Sequence, residues 1–211
     1  MNQIKYSLLS GLCSLLMAGA LISGCASTPK NHTTRTPKKN QALQIQMPAP
    51  GKSKVVFIRP GSFAFAFKFS VHDGEKLIGT TSANSYFVYE CDPGYHLFST
   101  SMENTSVLDA NLLPDRIYYV RTAAAMGVVF AEVNMISLHP DSAGKYWQKL
   151  AKILPHLHET VASSEAIERD SRGADNYWIR VQKFYKDRYL KNPKRDQILP
   201  DYGQLKPIGA Q

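Results

Sequence analysis

The sequence has few cysteines and lacks the short motifs that identify common enzyme classes. Three of its 211 residues are cysteine, at positions 13, 25 and 91. It contains no HExxH of zinc peptidases, no G-x-S-x-G of α/β-hydrolases and no glycine-rich phosphate loop. No nucleophile, base and orienting group are grouped in the chain. We therefore expect no catalytic residue, no metal ion and no cofactor.

Acidic residues are absent from residues 26–52, which contain five basic residues and carry a charge of +5. From Ser53 onward, 19 basic residues face 17 acidic ones, so this larger part carries only +2 of the total of +8. Most of the positive charge thus belongs to a tail, and a basic tail is weak support for a nucleic-acid-binding fold. We expect no nucleic-acid partner.

A continuous apolar run of about 20 residues, which a membrane-spanning helix needs, is also lacking. Residues 7–22 are apolar or small, Lys5 precedes them, and Ser23 and Gly24 lead to Cys25. This arrangement is typical of a secretory signal peptide, which we assign to residues 1–24. An uncleaved anchor helix with a lone cysteine is the alternative.

The end of this leader resembles a bacterial lipobox, which has leucine at −4, small residues at −2 and −1, and cysteine at +1. The matching residues are Leu21, Ser23, Gly24 and Cys25. The resemblance implies signal-peptidase cleavage between Gly24 and Cys25, an S-diacylglycerol thioether on Cys25 and N-acylation of the new terminus. Two or three acyl chains anchor a protein stably. Ala26, where aspartate would retain the protein in the inner membrane, implies sorting to the outer membrane. We expect a lipid-anchored outer-membrane protein that faces the periplasm, although the sequence does not determine the leaflet.

Only Cys91 remains for the mature domain, so no intramolecular disulfide is expected even in an oxidising compartment. We predict that Cys91 is a small buried side chain before a turn, with a nucleophile or an interchain disulfide as alternatives. Residues 25–52 form the lipidated N-terminus and a tether with four prolines. The basic residues of this tether either lie on anionic headgroups or cell-wall polymers, or merely keep it extended.

Residues 53–140 predict an antiparallel β-sandwich of about seven to eight strands, because short β-prone segments alternate with turn residues. Asp73-Gly74 predicts a hairpin between 63–71 and 76–80. Phenylalanines at 63, 65, 67 and 69 alternate along the first of these segments. We predict that they form half of the core, with a ligand platform as the alternative. The predicted strands are 54–59, 63–71, 76–80, 85–90, 95–101, 107–113, 116–122 and 128–138.

These segments resemble the DUF2846 family of bacterial envelope lipoproteins. The matching pieces are Arg59-Pro60-Gly61, Asp73-Gly74, Ile78-Gly79, Tyr86 to Tyr89, Pro93-Gly94-Tyr95-His96 and Ile117 to Val120. The match covers about residues 54–139, and Asp115-Arg116 replace the glycine that usually precedes the last piece. The resemblance implies a transthyretin-like or immunoglobulin-like sandwich displayed from a membrane, and it supplies no catalytic residues.

The C-terminal region, residues 141–211, is expected to be helical and makes the fold α+β. Periodic apolar residues predict amphipathic helices at 142–154 and 175–190, and a weaker one at 160–169. The helix at 175–190 packs on its own domain, on a partner or on a membrane. We predict an interaction surface on it that includes Tyr177, Trp178, Phe184 and Tyr185.

Several polar residues are weak candidates for a site. His156, His158 and Glu159 suggest a metal, but a third ligand at a diagnostic spacing is missing. His72-Asp73 and His96 could meet across the sandwich, although the hairpin turn explains Asp73 better. Arg59 and Arg121 are expected to pair with Glu90 or Asp92.

We expect a lipid-anchored, non-enzymatic envelope protein that acts as an interaction or accessory module for another envelope protein or assembly. An exposed apolar patch would favour this hypothesis. The alternative is a binder of cell-wall glycan or of a small apolar molecule, which a concave pocket would favour. A hydrolase is a third hypothesis, and it requires a pocket where histidine and carboxylate converge. The sequence leaves the oligomeric state open.

Overall fold

The computed structural model describes residues 45–129, 131–140, 144–162, 167 and 174–208. The predicted signal peptide, Gly24 and Cys25, most of the tether and most of the predicted helix at 160–169 lie outside these residues. Within the described residues, no helix is both long and apolar enough to cross a bilayer.

Over the residues that the structure describes, the fold is mostly β, with two five-stranded sheets and two short helices of ten and eleven residues. Sheet A has the strand order β8-β7-β1-β4-β9, and sheet B has the order β10-β6-β5-β2-β3. Each of the eight predicted segments overlaps a strand, and two further strands of two residues each occur later in the described chain. The strands are β1 Ser53–Arg59, β2 Phe69–Asp73, β3 Lys76–Thr81, β4 Ser85–Cys91, β5 Gly94–Ser101, β6 Thr105–Leu112, β7 Arg116–Met126, β8 Ala131–Ser137, β9 His158–Glu159 and β10 Gln197–Ile198.

Both sheets are mixed, so the prediction of a purely antiparallel arrangement is wrong. β1 pairs antiparallel with β4 but parallel with β7, and both β9 and β10 join their neighbours in parallel. All seven residues of β1 are buried, including the continuous apolar run from Val55 to Ile58. A strand that lies centrally in its sheet and is covered on both faces needs apolar side chains on both, which explains why β1 shows no polar alternation.

Buried side chains form one core shared by both sheets and two smaller clusters. Phe57 of sheet A stacks on Phe87 at a centroid distance of 4.8 Å and meets Phe98 of sheet B edge-on at 5.3 Å. On the second face of sheet A, Val56 and Ile58 belong to a cluster that includes Leu150. Aromatic pairs of this geometry add stability beyond the area that they bury.

Two short helices, α1 Gly144–Ile153 and α2 Ala174–Phe184, contribute buried side chains to the two clusters outside the shared core. The prediction that the strands are followed by C-terminal amphipathic helices is wrong in that form, because strands and helices alternate in this region. His158 and Thr160 donate backbone hydrogen bonds to Asn84 and Tyr86 at the start of β4, and β10 pairs with β6. The backbone N–H and C=O groups at the two sheet edges thus form hydrogen bonds with the chain that lies between and after the helices.

The predicted phenylalanine stripe is also wrong. Residues 63–66 form a turn in which Ala64 has a φ of +54°, and β2 begins only at Phe69. Phe69 is buried, whereas Phe63 and Phe65 are 51% and 76% exposed. The predicted hairpin is present as β2–β3, with Gly74 at a φ of +59° in its turn.

Candidate functional site

The connections between strands lie at two ends of the sheets, and one end exposes apolar side chains. The loop 60–68 and the turn 82–84 meet there through hydrogen bonds between Gly61 and Asn84. Because β7 runs parallel to β1, residues 127–129 after β7 lie at the same end. We name this surface the apolar end and define it by its exposed large apolar residues. These are Phe63, Phe65, Met126, Val128 and Val129, which are 51%, 76%, 75%, 96% and 73% exposed.

A buried arginine holds the loop that carries Phe63 and Phe65. Arg59 is 1% exposed, and its guanidinium donates to the carbonyls of Phe63, Ala64 and Phe67 at 2.7 to 2.9 Å. It also lies 4.0 Å above the ring of Phe69. Charge-assisted hydrogen bonds of this kind are stronger than neutral ones. The loop is therefore fixed by the interior of the protein while its phenylalanines point to solvent.

A carboxylate holds the turn that carries Val128 and Val129 in a similar way. Glu103, in the turn between β5 and β6, accepts the backbone N–H of both valines at 2.7 Å. A Cβ at Gly127 would lie 1.9 Å from a carboxylate oxygen of Glu103, so only glycine permits this approach. Sequence reasoning missed both Arg59 and Glu103 as organisers, because their partners are backbone groups that leave no sequence signal.

A groove of about 650 Å³ lies beside the apolar end. His72 and Tyr177 of its lining contact each other, with ring centroids 4.2 Å apart, and the Tyr177 hydroxyl donates to Ser99 Oγ at 2.9 Å. The groove combines apolar surface with serine hydroxyls, one acidic and one basic side chain. It is lined by Ser70, His72, Ser101, Met102, Glu103, Val129, Tyr177 and Arg180.

The opposite end carries a polar cluster around His96. Its Nδ1 lies 2.7 Å from Asp73 Oδ2, its Nε2 lies 2.9 Å from the carbonyl of Asp92, and Tyr89 donates to Asp73 Oδ2 at 3.0 Å. Hydrogen bonding to the Asp73 carboxylate, followed by that to Cys91, raises the pKa of His96 to about 10. Since both ring nitrogens face acceptors, His96 is an imidazolium that binds two turns together, and it has no lone pair to act as a base.

Asp73 and His96, which the sequence analysis left as residues that could meet across the sandwich, meet between neighbouring strands of sheet B instead. His72 projects away from this cluster and packs on Tyr177 of α2. Cys91 is buried and free, as predicted, and its thiol lies 3.9 Å from the carbonyl of Ser53.

The predicted arginine ion pairs are wrong, because lysines on the β1 side occupy both carboxylates. Glu90 pairs with Lys54 at 3.4 Å, and Asp92 pairs with Lys52 at 2.7 Å. Arg59 instead binds the loop carbonyls, whereas Arg121 lies 5.3 Å above the ring of Tyr146.

The residues considered for a metal site lie apart from further ligands. His158 Nε2 lies 3.0 Å from Ser82 Oγ, and His156 is exposed. Among the described residues, no three His, Cys, Asp or Glu side chains are grouped so that they could hold a metal ion.

The four aromatic residues predicted as an interaction surface contact their own domain. Tyr177, Trp178, Phe184 and Tyr185 pack around a cluster of Val107, Val181 and Tyr189. The Tyr185 hydroxyl lies 3.1 Å from that of Tyr95. These contacts favour the own-domain alternative for the inner side of the helix, and binding of a partner by its remaining surface stays a prediction.

Comparison with known proteins gives one weak likeness to report. An uncharacterised protein of Haemophilus influenzae is 24% identical over 144 residues, which cover 68% of this chain and 84% of that protein. No family model matches the chain. No solved structure matches it either.

Proposed function

We propose that this protein is a lipid-anchored, non-enzymatic component of the bacterial envelope that acts as an interaction module for another envelope protein. The observation that carries the proposal is the apolar end. Five large apolar side chains are exposed there on two segments that a buried guanidinium and a carboxylate hold in place. Exposed apolar groups on fixed backbone are typical of a docking surface.

The apolar end offers part of the energy that a specific complex needs. Completely burying an exposed large apolar side chain contributes about 1.5 kcal/mol or more, so five contribute about 7 kcal/mol, against an association cost of similar size that further contacts must offset. Because Arg59 and Glu103 already order the backbone of both segments, these segments lose little conformational entropy when a partner binds. A preorganised surface therefore retains more of this energy as affinity.

The proposal includes the finer points of architecture and location. The lipobox-like residues from Leu21 to Cys25 support a lipid anchor at Cys25, and Ala26 supports the outer membrane. Two sheets that share a core are compatible with a transthyretin-like or immunoglobulin-like sandwich of DUF2846 type. The anchor keeps the domain at the membrane, where an envelope partner is within reach.

Site-specific photo-crosslinking in cells tests the proposal. A photoreactive amino acid is placed in the full-length protein at Phe65 or at Val128, and at Glu75 in the β2–β3 turn as the matched control. We expect a stoichiometric protein adduct from the first two positions and none from Glu75. The adduct is expected to be lost in Cys25→Ser, which cannot be lipidated.

Each other outcome has a definite meaning. Adducts with lipid alone at Phe65 and Val128 contradict a protein partner, and equal adducts from Glu75 contradict the assignment of the surface. A Cys25→Ser variant that stays membrane-bound contradicts the anchor while leaving the apolar end untouched.

The groove supports a second candidate, a binder of glycan or of a small ligand. Its volume of about 650 Å³ falls within the range of small-molecule sites, and its lining combines the Tyr177 ring with polar groups. If the groove binds cell-wall fragments, muropeptides will raise the melting temperature of the wild type. They will not raise that of Ser101→Trp, in which a large side chain fills the groove. An equal response of both proteins, or none, contradicts this function.

A further inference from the structure

The positive charge of the folded part is concentrated in one segment. Residues 180–196 contain seven basic and two acidic residues, a net charge of +5. Since the chain from Ser53 onward carries only +2, the rest of it is negative by three charges. Such segregation creates a local positive potential that the total charge conceals.

Six of these cations are exposed on the outer side of α2 and the turns that follow it. α2 continues into a π-helical segment, Tyr185–Tyr189. Val181 and Tyr189 are buried against sheet B, so the side chains between them that carry charge point outward. We name this surface the basic face and define it as Arg180, Lys183, Lys186, Arg188, Lys191 and Lys194, all exposed.

Within the part of the chain that the structure describes, no acidic side chain forms an ion pair with a cation of the basic face. None of its six cations forms an ion pair with a described residue, and Asp187 is the exposed acidic residue among them. Two apolar side chains, Ile179 and Leu190, are exposed beside the cations. Repulsion among six unpaired cations is a cost that an external anionic surface would remove.

We propose that the basic face docks on a bilayer that contains anionic phospholipid. The four cations from Arg180 to Arg188 are spread over about 12 Å of helix length, and Lys191 and Lys194 follow in the turns. Cations distributed in this way suit a layer of phosphate headgroups better than a single bound anion. Exposed apolar side chains between the cations also suit this interface, because they can enter the boundary between headgroups and acyl chains. Apart from Arg180, which also lines the groove beside the apolar end, the basic face consists of residues outside both, so this contact does not depend on the partner proposed there.

The chain between the predicted anchor and the domain permits this docking. From Cys25 to Ile45 it spans 20 residues, with a reach of at most about 70 Å when extended. The anchor would raise the local concentration of the domain at the bilayer, so that weak electrostatic contacts suffice. Each cation near an anionic surface strengthens binding about fivefold.

Lysine acetylation on nanodiscs tests the docking with the full-length protein. The protein is reconstituted into discs of phosphatidylcholine alone or with phosphatidylglycerol, and an amine reagent marks exposed lysines for mass spectrometry. We expect Lys183, Lys186 and Lys194 to react at least about fivefold more slowly on the anionic discs. This protection is expected to disappear in 1 M salt, where the Debye length is about 3 Å. Lys149 and Lys152, which are exposed and lie outside the basic face, serve as internal references.

A double variant separates charge from other effects. Arg188→Gln with Lys191→Gln removes two exposed cations, is expected to weaken docking about thirtyfold, and leaves three reporter lysines in place. The control, Lys76→Gln with Lys206→Gln, changes the total charge equally and is expected to keep the protection. Melting temperatures check that both variants are folded.

Three results would overturn the proposal. They are equal reaction rates on both kinds of disc, protection that survives the loss of Arg188 and Lys191, and protection that needs an added acidic envelope protein. Failure of the protein to remain on either disc would instead count against the lipid anchor and so against that part of the proposed function.

Discussion

Replacing Asp73 by asparagine removes the charge that His96 contacts and keeps the size of the side chain. In the native protein their Nδ1···Oδ2 distance is 2.7 Å, and the two side chains are 14% and 15% exposed. Hydrogen bonding to this carboxylate is the largest cause, ahead of hydrogen bonding to Cys91 and to the Asp92 carbonyl, that raises the pKa of His96 from about 6.5 to about 10. A shift of this size corresponds to about 5 kcal/mol at full strength. Because water reaches both side chains, we expect a loss of about 2–3 kcal/mol in the free energy of unfolding.

The folded and unfolded pKa values of His96 determine whether the free energy of unfolding rises or falls with pH. Between the unfolded pKa of about 6.5 and the folded value of about 10, only the folded state holds the proton of His96. The stabilisation is therefore complete below about pH 6.5 and is lost as the pH rises toward 10. Asp73→Asn should lower the stability most at pH 6 and abolish most of this decline.

Urea unfolding between pH 6 and pH 8.5, with reductant to protect Cys91, measures both effects. At this upper limit, tyrosines of the unfolded chain, with a pKa of about 10, remain almost entirely protonated. Tyr89→Phe is the matched control, because it removes a hydrogen bond to Asp73 but keeps the pair with His96, so the decline with pH should remain. A wild-type stability that stays constant over this range, or an equal decline in Asp73→Asn, would refute the reasoning.

Three further substitutions test the packing that supports the two ends, each by urea unfolding. Arg59→Met leaves three loop carbonyls without their donor and should lower the free energy of unfolding by about 3 kcal/mol. The loop should also be cleaved faster by proteases, and unchanged cleavage would contradict the role of Arg59 as its organiser. Gly79→Ala places a Cβ 2.5 Å from the ring of Phe87 and should cost about 2 kcal/mol, whereas a neutral result would show that the ring can move. Tyr189→Phe removes a hydroxyl that accepts the Asp109 N–H at 3.0 Å and should cost about 1–2 kcal/mol, and a smaller loss would mean that water replaces it.

Strand positions were predictable because they depend on local chemistry. Asp73-Gly74 and Asp92-Pro93-Gly94 interrupt β-prone segments, and glycines at both turns adopt a positive φ. Such residues act within a few positions of the chain, so their effect is visible in the sequence. The phenylalanines at 63 and 65 misled the same reasoning, because their alternation is typical of a strand while the backbone there is determined by Arg59.

Parallel pairing and the two-residue strands were not predictable in this way. The continuous apolar run of β1 was the available signal, since it is typical of a strand covered on both faces. Nothing near His158 or Gln197 indicates the sheet edges that they join, because those edges consist of backbone groups far away in the chain.

The sequence by itself determined the approximate positions of the eight strands before residue 140, except the start of β2, together with the β2–β3 hairpin and the burial of Cys91. It also carries the lipobox-like residues on which the predicted anchor depends. Tertiary structure alone decided which side chains face solvent at the apolar end, which carboxylate His96 meets and how the cations of the basic face are displayed. The physical reason is that these features depend on hydrogen bonds and packing between residues tens of positions apart, whereas strands and turns depend on neighbours.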